Sequence, residues 1–81
     1  MFKIEKCKDK GGLSVKPSVK VLLDLKKIKT KFKTLIETPI VLVIEKEGEI
    51  VVHEYGELIF KNLKDEEKIR RIAEEIYKNK I

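Results

Sequence analysis

Two residue types in this chain that could do covalent or metal chemistry occur once each, Cys7 and His53. A nucleophilic thiolate needs a neighbouring base or a helix N-terminus, and the sequence around Cys7 offers only Lys6 and Lys8. A metal needs three or four converging ligands, so one cysteine and one histidine do not make a site. With a single cysteine no intramolecular disulfide forms, and Cys7 reads as a small, half-buried, reduced thiol. The carboxylate pairs Glu54/Glu57 and Glu45/Glu47 lie among polar residues, without the hydrophobic pocket that raises one carboxyl of a catalytic pair. Gly11-Gly12 stands outside any GxGxxG or GxxxxGK[ST] pattern and reads as a plain turn. The chain is therefore expected to be no enzyme and to carry neither cofactor nor metal.

The remaining candidate chemistry is charge. In "KIKTKFKT", Lys27, Lys29, Lys31 and Lys33 alternate with Ile28, Thr30, Phe32 and Thr34. On a strand these ammonium groups would share one face at about 7 Å spacing. They could then track a phosphate backbone with salt-sensitive, sequence-blind affinity. The same comb would equally guard a sheet edge against strand-to-strand aggregation. Bases find few stacking partners here, chiefly Phe32 and Tyr55. The net charge of +5 is uneven: residues 1–34 hold eleven lysines against Glu5, Asp9 and Asp24. Residues 35–81 hold eight basic and eleven acidic side chains. Such asymmetry suits either a nucleic-acid face or self-association of a basic half with an acidic half.

Eighty-one residues, 42% hydrophobic and 41% charged, make one small α+β domain. Lys, Glu and Ile dominate and Gln and Trp are absent, a thermophile-like bias. The N-terminal "MFKIEKCKDK" has no apolar run suited to a signal peptide, and "PIVLVI" is too short to span a membrane. A cytoplasmic location is the expectation.

The elements that must position the charges read as follows. Residues 2–7 form a short strand and 8–14 a turn. Residues 16–27 carry two patterns. Val19, Leu22 and Leu23 have helical spacing behind Pro17, and Val19, Val21, Leu23 and Leu25 alternate as in a strand. The helix is favoured, with the comb then forming a strand. A helix through 22–36 would also stripe Leu22, Leu25, Ile28, Phe32 and Ile36. "IVLVIEK" (40–46) reads as a central strand buried on both faces, "EGE" as a tight turn at Gly48, and 49–55 and 57–62 as further strands. The last helix begins behind a capping Asp65, with Glu66 and Glu67 in its first turn and Ile69, Ile72, Ala73 and Ile76 on one face. Three i,i+4 pairs, Glu66–Arg70, Glu67–Arg71 and Glu74–Lys78, run in the favourable order. The expectation is β-α-β-β-β-β-α, an antiparallel sheet of about five strands with two helices on one face.

That order, and "EYGELIFKNLKDEE" (54–67), resemble one half of the TATA-box-binding protein. Gly56 falls on that family's glycine, Leu58 and Ile59 on its apolar pair, and Lys61 and Asn62 on the threonine and glycine of its turn. Lys64 falls on its lysine, Asp65 on its capping serine, and Glu66-Glu67 on its acidic pair. "LDLKKI" (23–28) is similar to a segment of the family's first helix, which would start the helix later and cut into the comb. The likeness spans about residues 20–78 and implies the fold. The family's DNA wedges are phenylalanines; His53 and Thr38 stand nearest those positions, and the groove-reading asparagines have no match. Glu45, Glu47, Glu49, Glu54 and Glu57 would repel phosphate, and a saddle would need two copies. TATA-type DNA bending is not expected.

The functional expectation is a small binding protein. Lys16, Lys20, Lys26, Lys27, Lys29, Lys31 and Lys33 would be electrostatic contacts for non-specific DNA or RNA. The alternative is a protein-interaction or self-assembly module. Ile40–Ile44 and Ile50–Val52 place apolar side chains on both sheet faces, and two helices cover one. A homodimer or protein partner is expected on the other.

Overall fold

The computed structural model describes residues 2–6 and 12–81. Its elements are β1 (Phe2–Lys6), β2 (Leu13–Pro17), α1 (Leu25–Lys31), β3 (Lys33–Glu37), β4 (Val41–Glu45), β5 (Glu49–His53), β6 (Leu58–Phe60) and α2 (Glu66–Tyr77). The strands form one six-stranded sheet in the order β1-β2-β6-β5-β4-β3, every neighbouring pair antiparallel. The α+β class and the two helices on one face follow the sequence reading, with one strand more than expected.

The core is a single cluster. Alternate strand residues Leu13, Val15, Leu58, Phe60, Ile50, Val52, Leu42 and Ile44 point into it. Leu23, Leu25, Ile28 and Phe32 reach it from α1 and its flanks, and Ile69, Ile72, Ala73 and Ile76 from α2. The expected apolar face of α2 is thus the observed one. Asp65 caps this helix, its carboxylate accepting from the amides of Glu67 and Lys68. The three expected i,i+4 pairs are not among the ion pairs of the described residues; Lys68 instead meets Glu47 of the β4–β5 turn at 3.1 Å. Long exposed side chains lose rotamer freedom when they pair, and a contact across elements competes with one along the helix.

The first half departs from expectation. No helix spans 16–27. Leu13 and Val15 are drawn into the core between β1 and β6, so residues 13–17 form a strand where a turn and a helix start were expected. Pro17 closes that strand opposite Phe2, at the end of the β1–β2 pairing, where a missing N–H costs least. Val19 and Leu22, 69% and 48% exposed, do not form a buried stripe. The comb is not a strand either: Lys27, Lys29 and Lys31 belong to α1, and only Lys33 lies on a strand. The deciding spacing is Leu25, Ile28 and Phe32, three residues and then four, which packs one face of α1 and its C-cap into the core. Asp24 starts the helix by accepting from the Lys27 amide at 3.3 Å. β4 is next to the edge rather than central. Residues 8–11 of the turn expected over 8–14, and the environment of Cys7, lie outside the described residues.

Two turns set the sheet's register. Glu47 and Gly48 both take positive φ, 57° and 133°, to reverse β4 into β5. Gly56 has φ 110°, and a Cβ there would stand 2.5 Å from Val21 Cγ2. Its carbonyl accepts a 2.6 Å hydrogen bond from the Tyr77 hydroxyl, tying the β5–β6 turn to α2. Burial of Tyr77, and after it the charge of Glu57, hold that phenol well above the usual tyrosine range.

Candidate interaction surface on the open sheet face

Strand alternation sends every second side chain away from the helices. The pairing Ser14↔Ile59, Ile59↔Val51, Val51↔Val43 and Val43↔Ile36 lines these residues up across five strands. Four of the five are apolar. Val51 and Ile59 are half-buried and Ile36 is 57% exposed. Val43 is buried, yet stands outside the core cluster. No described residue of either helix packs here. The face is an apolar row on an uncovered sheet.

Charged residues border the row on both sides. Along one border stand Lys61, Glu49, Glu45 and Lys33, with Lys61–Glu49 at 3.8 Å and Lys33–Glu45 at 3.6 Å. The other border holds Lys3, Lys16, Glu57 and His53, and Lys16 reaches Glu5 at 3.4 Å. His53 stacks on Tyr55 at 5.1 Å between centroids, and the Tyr55 hydroxyl donates to Glu57 at 2.9 Å. That bond to a carboxylate, with burial and the Glu57 charge behind it, raises the Tyr55 phenol above its ordinary range. By alternation this face carries Lys3, Lys16, Lys33 and Lys61 against Glu5, Glu45, Glu49 and Glu57. The signs cancel.

The seven candidate lysines do not converge. Lys16 and Lys33 are on the open face near opposite edges, each beside a glutamate. Lys26, Lys27, Lys29 and Lys31 lie on α1, across the sheet from that face, and Lys20 is in the irregular segment between β2 and α1. Lys29 is tied to Glu37 at 3.0 Å. Among the described residues, Lys20, Lys26, Lys27 and Lys31 make no ion pair. β3 is an edge strand, as the comb reading required, but Lys33 alone of the comb stands on it. A register shift between Thr34 and Ile36 further disrupts that edge.

His53 has no partner set for metal: among the described residues no group of three or more His, Cys, Asp or Glu comes together. Glu45 is beside Lys33 and Glu57 holds Tyr55, both as border charges of this face, whereas Glu47 pairs with Lys68 of α2 on the helix side. An apolar concavity of about 480 Å³ lies between Phe2, Pro17, Val19, Val21 and Tyr77. What sequence reasoning left unassembled was the row itself. Its signal was the parity of Val51 and Ile59, each with polar or charged side chains two residues away on either side, Glu49 and His53 for the first and Glu57 and Lys61 for the second.

Comparison with known proteins finds no matching family model, no matching curated protein and no matching solved structure.

Proposed function

We propose that this chain is a non-enzymatic association module that pairs with a second copy of itself through the open sheet face. The observation that carries the proposal is the apolar row Ile59, Val51, Val43 and Ile36 on the face that neither helix covers. Removing such a row from water contributes about 25 cal/mol per Å². The balanced charges of its borders favour a like surface over a polyanion, which would meet four glutamates there. Five strands about 17 Å long at 4.8 Å spacing present about 400 Å² of projected face. Two such faces cover roughly 800 Å² in all, below the size of standard stable interfaces, so weak association, no tighter than micromolar, is expected. A methyl NMR dilution series tests this. Signals of Val43, Val51 and Ile59 should shift with concentration while those of Val52 and Leu58 stay fixed; no shift up to millimolar concentration refutes it.

A second reading, non-specific DNA or RNA binding, is supported by the lysines of α1 and its N-terminal flank that form no ion pair among the described residues, Lys20, Lys26, Lys27 and Lys31. Four phosphate contacts would give a log–log salt slope of about −3 to −4 on DNA. Fluorescence anisotropy with labelled DNA and RNA at two salt concentrations tests it, and no binding at low salt ends it. The likeness to half of a TATA-box-binding protein enters the proposal at the level of fold only. His53 and Thr38 in place of wedges leave DNA bending outside it.

A further inference from the structure

We infer that the two copies meet about a two-fold axis running across the strands, along the row Ser14–Ile59–Val51–Val43–Ile36, so that Lys61 of each copy faces Glu57 of the other. The inference rests on the association proposed above and assigns its symmetry.

A homodimer of this kind uses the same patch twice, and for two stacked sheets the axis lies in the plane between them. Two directions keep the apolar row over itself. An axis across the strands lays each strand over its own copy, running in reverse. Val51 then meets Val51, and Ile59 meets Ile59. Residues two positions to either side of the row exchange places, which puts Lys61 over Glu57 and Glu49 over His53. An axis along β5 lays β6 over β4 instead. Lys61 then meets Glu45, but Glu49 meets Glu49 on the axis itself, and His53 meets His53.

The charges decide between the two. An axis along β5 would hold two Glu49 carboxylates against each other at the border of the closing interface, where like charges repel and oppose that arrangement. The crosswise axis has no like-charged pair among these four residues. The geometry tolerates real sheet packing. Aligned sheets sit about 30° apart, which moves a residue 7 Å from the centre by about 3.5 Å, within the reach of Lys and Glu side chains. Within one chain Glu57 uses its Oε1 to accept from Tyr55, which leaves Oε2 for a lysine, and the 3.8 Å Lys61–Glu49 contact is loose enough to share the ammonium.

The test is complementation between two charge-reversed chains. Lys61→Glu and Glu57→Lys each make both copies of the cross-interface pair repulsive, so each variant alone should dimerise at least tenfold more weakly than the unmodified chain. Mixed, they restore two opposite-charge pairs. A heterodimer should form at concentrations where each variant alone is monomeric, as read by native mass spectrometry or sedimentation velocity with one chain labelled. Both positions are on the border of the face, and thermal unfolding of each variant confirms the fold. If the unmodified chain dimerises but the mixture shows no preference for the heterodimer, the crosswise axis is wrong and the association stands. Rescue of Lys61→Glu by Glu45→Lys, and not by Glu57→Lys, assigns the axis along β5 and overturns this one. A monomeric unmodified chain removes the association itself.

Discussion

Val51 and Val52 are neighbours in β5 and point to opposite faces, so substitutions at the two separate association from folding. Val52 is fully buried in the core, and Val51 is half-buried on the open face between Val43 and Ile59. Val51→Lys in the monomer changes a strand position with one wet face, which costs about 1 kcal/mol or less. In the dimer it acts twice. Each copy loses about 1 kcal/mol of apolar burial. The two ammonium groups approach on the axis, which at about 6–8 Å and an effective dielectric near 20 adds about 2–3 kcal/mol. Lysine's flexible stem relieves part of that, leaving a weakening of about 3–4 kcal/mol, at least a hundredfold in the dissociation constant. Val52→Ala has the opposite signature. It removes buried methyl groups from a packed core, costs about 2–3 kcal/mol of folding stability and leaves the interface alone. Urea unfolding of dilute protein measures the first quantity and sedimentation velocity over a concentration series the second. The reasoning is refuted if Val51→Lys dimerises as well as the unmodified chain, or costs as much folding stability as Val52→Ala.

Gly56→Ala should destabilise the fold by about 2 kcal/mol or more, seen in chemical denaturation, because φ is 110° and the new methyl would meet Val21 and Pro17. Asp65→Ala should cost about 1 kcal/mol and lower the thermal midpoint, since the amides of Glu67 and Lys68 lose their acceptor. Tyr77→Phe should cost about 1–2 kcal/mol at neutral pH through the lost bond to the Gly56 carbonyl. The folded phenol's pKa lies above the unfolded value of 10, so its contribution is complete below pH 10. It is lost as pH rises further, because the unfolded chain ionises first. The alkaline fall in stability should therefore be shallower in Tyr77→Phe, and an unchanged alkaline limb would remove this account of Tyr77.

The second half of the chain was legible because local and tertiary signals agree there. In α2 the cap, the first-turn acids and the apolar face all point to one helix, and each is observed. The run around Val41–Ile44 and the Gly48 turn likewise admit only a hairpin. Residues 13–34 misled because two periods coexist. Lysines at alternate positions imitate a strand, yet the apolar residues that enter the core, Leu25, Ile28 and Phe32, keep helical spacing. On α1 the lysines only need water, so their spacing carries no information about the backbone. Leu13 and Val15 became a strand through a long-range pairing with Phe60 and Leu58 that no local pattern announces. The scatter of the candidate lysines follows from the same change, since a helix disperses what a strand would align. The uncovered face was visible in outline, as apolar residues of both parities in β4 and β5. Its row across the strands was not, because it depends on register.

On the proposal made above, the open sheet face is where this chain meets its own copy. Sedimentation velocity from 1 µM to 1 mM, on the unmodified chain and on Val51→Lys in parallel, tests it most directly. The expected result is passage from one chain's mass to twice that mass across the micromolar range, abolished by Val51→Lys. A single-chain mass at every concentration, or a dimer that Val51→Lys leaves intact, would contradict it.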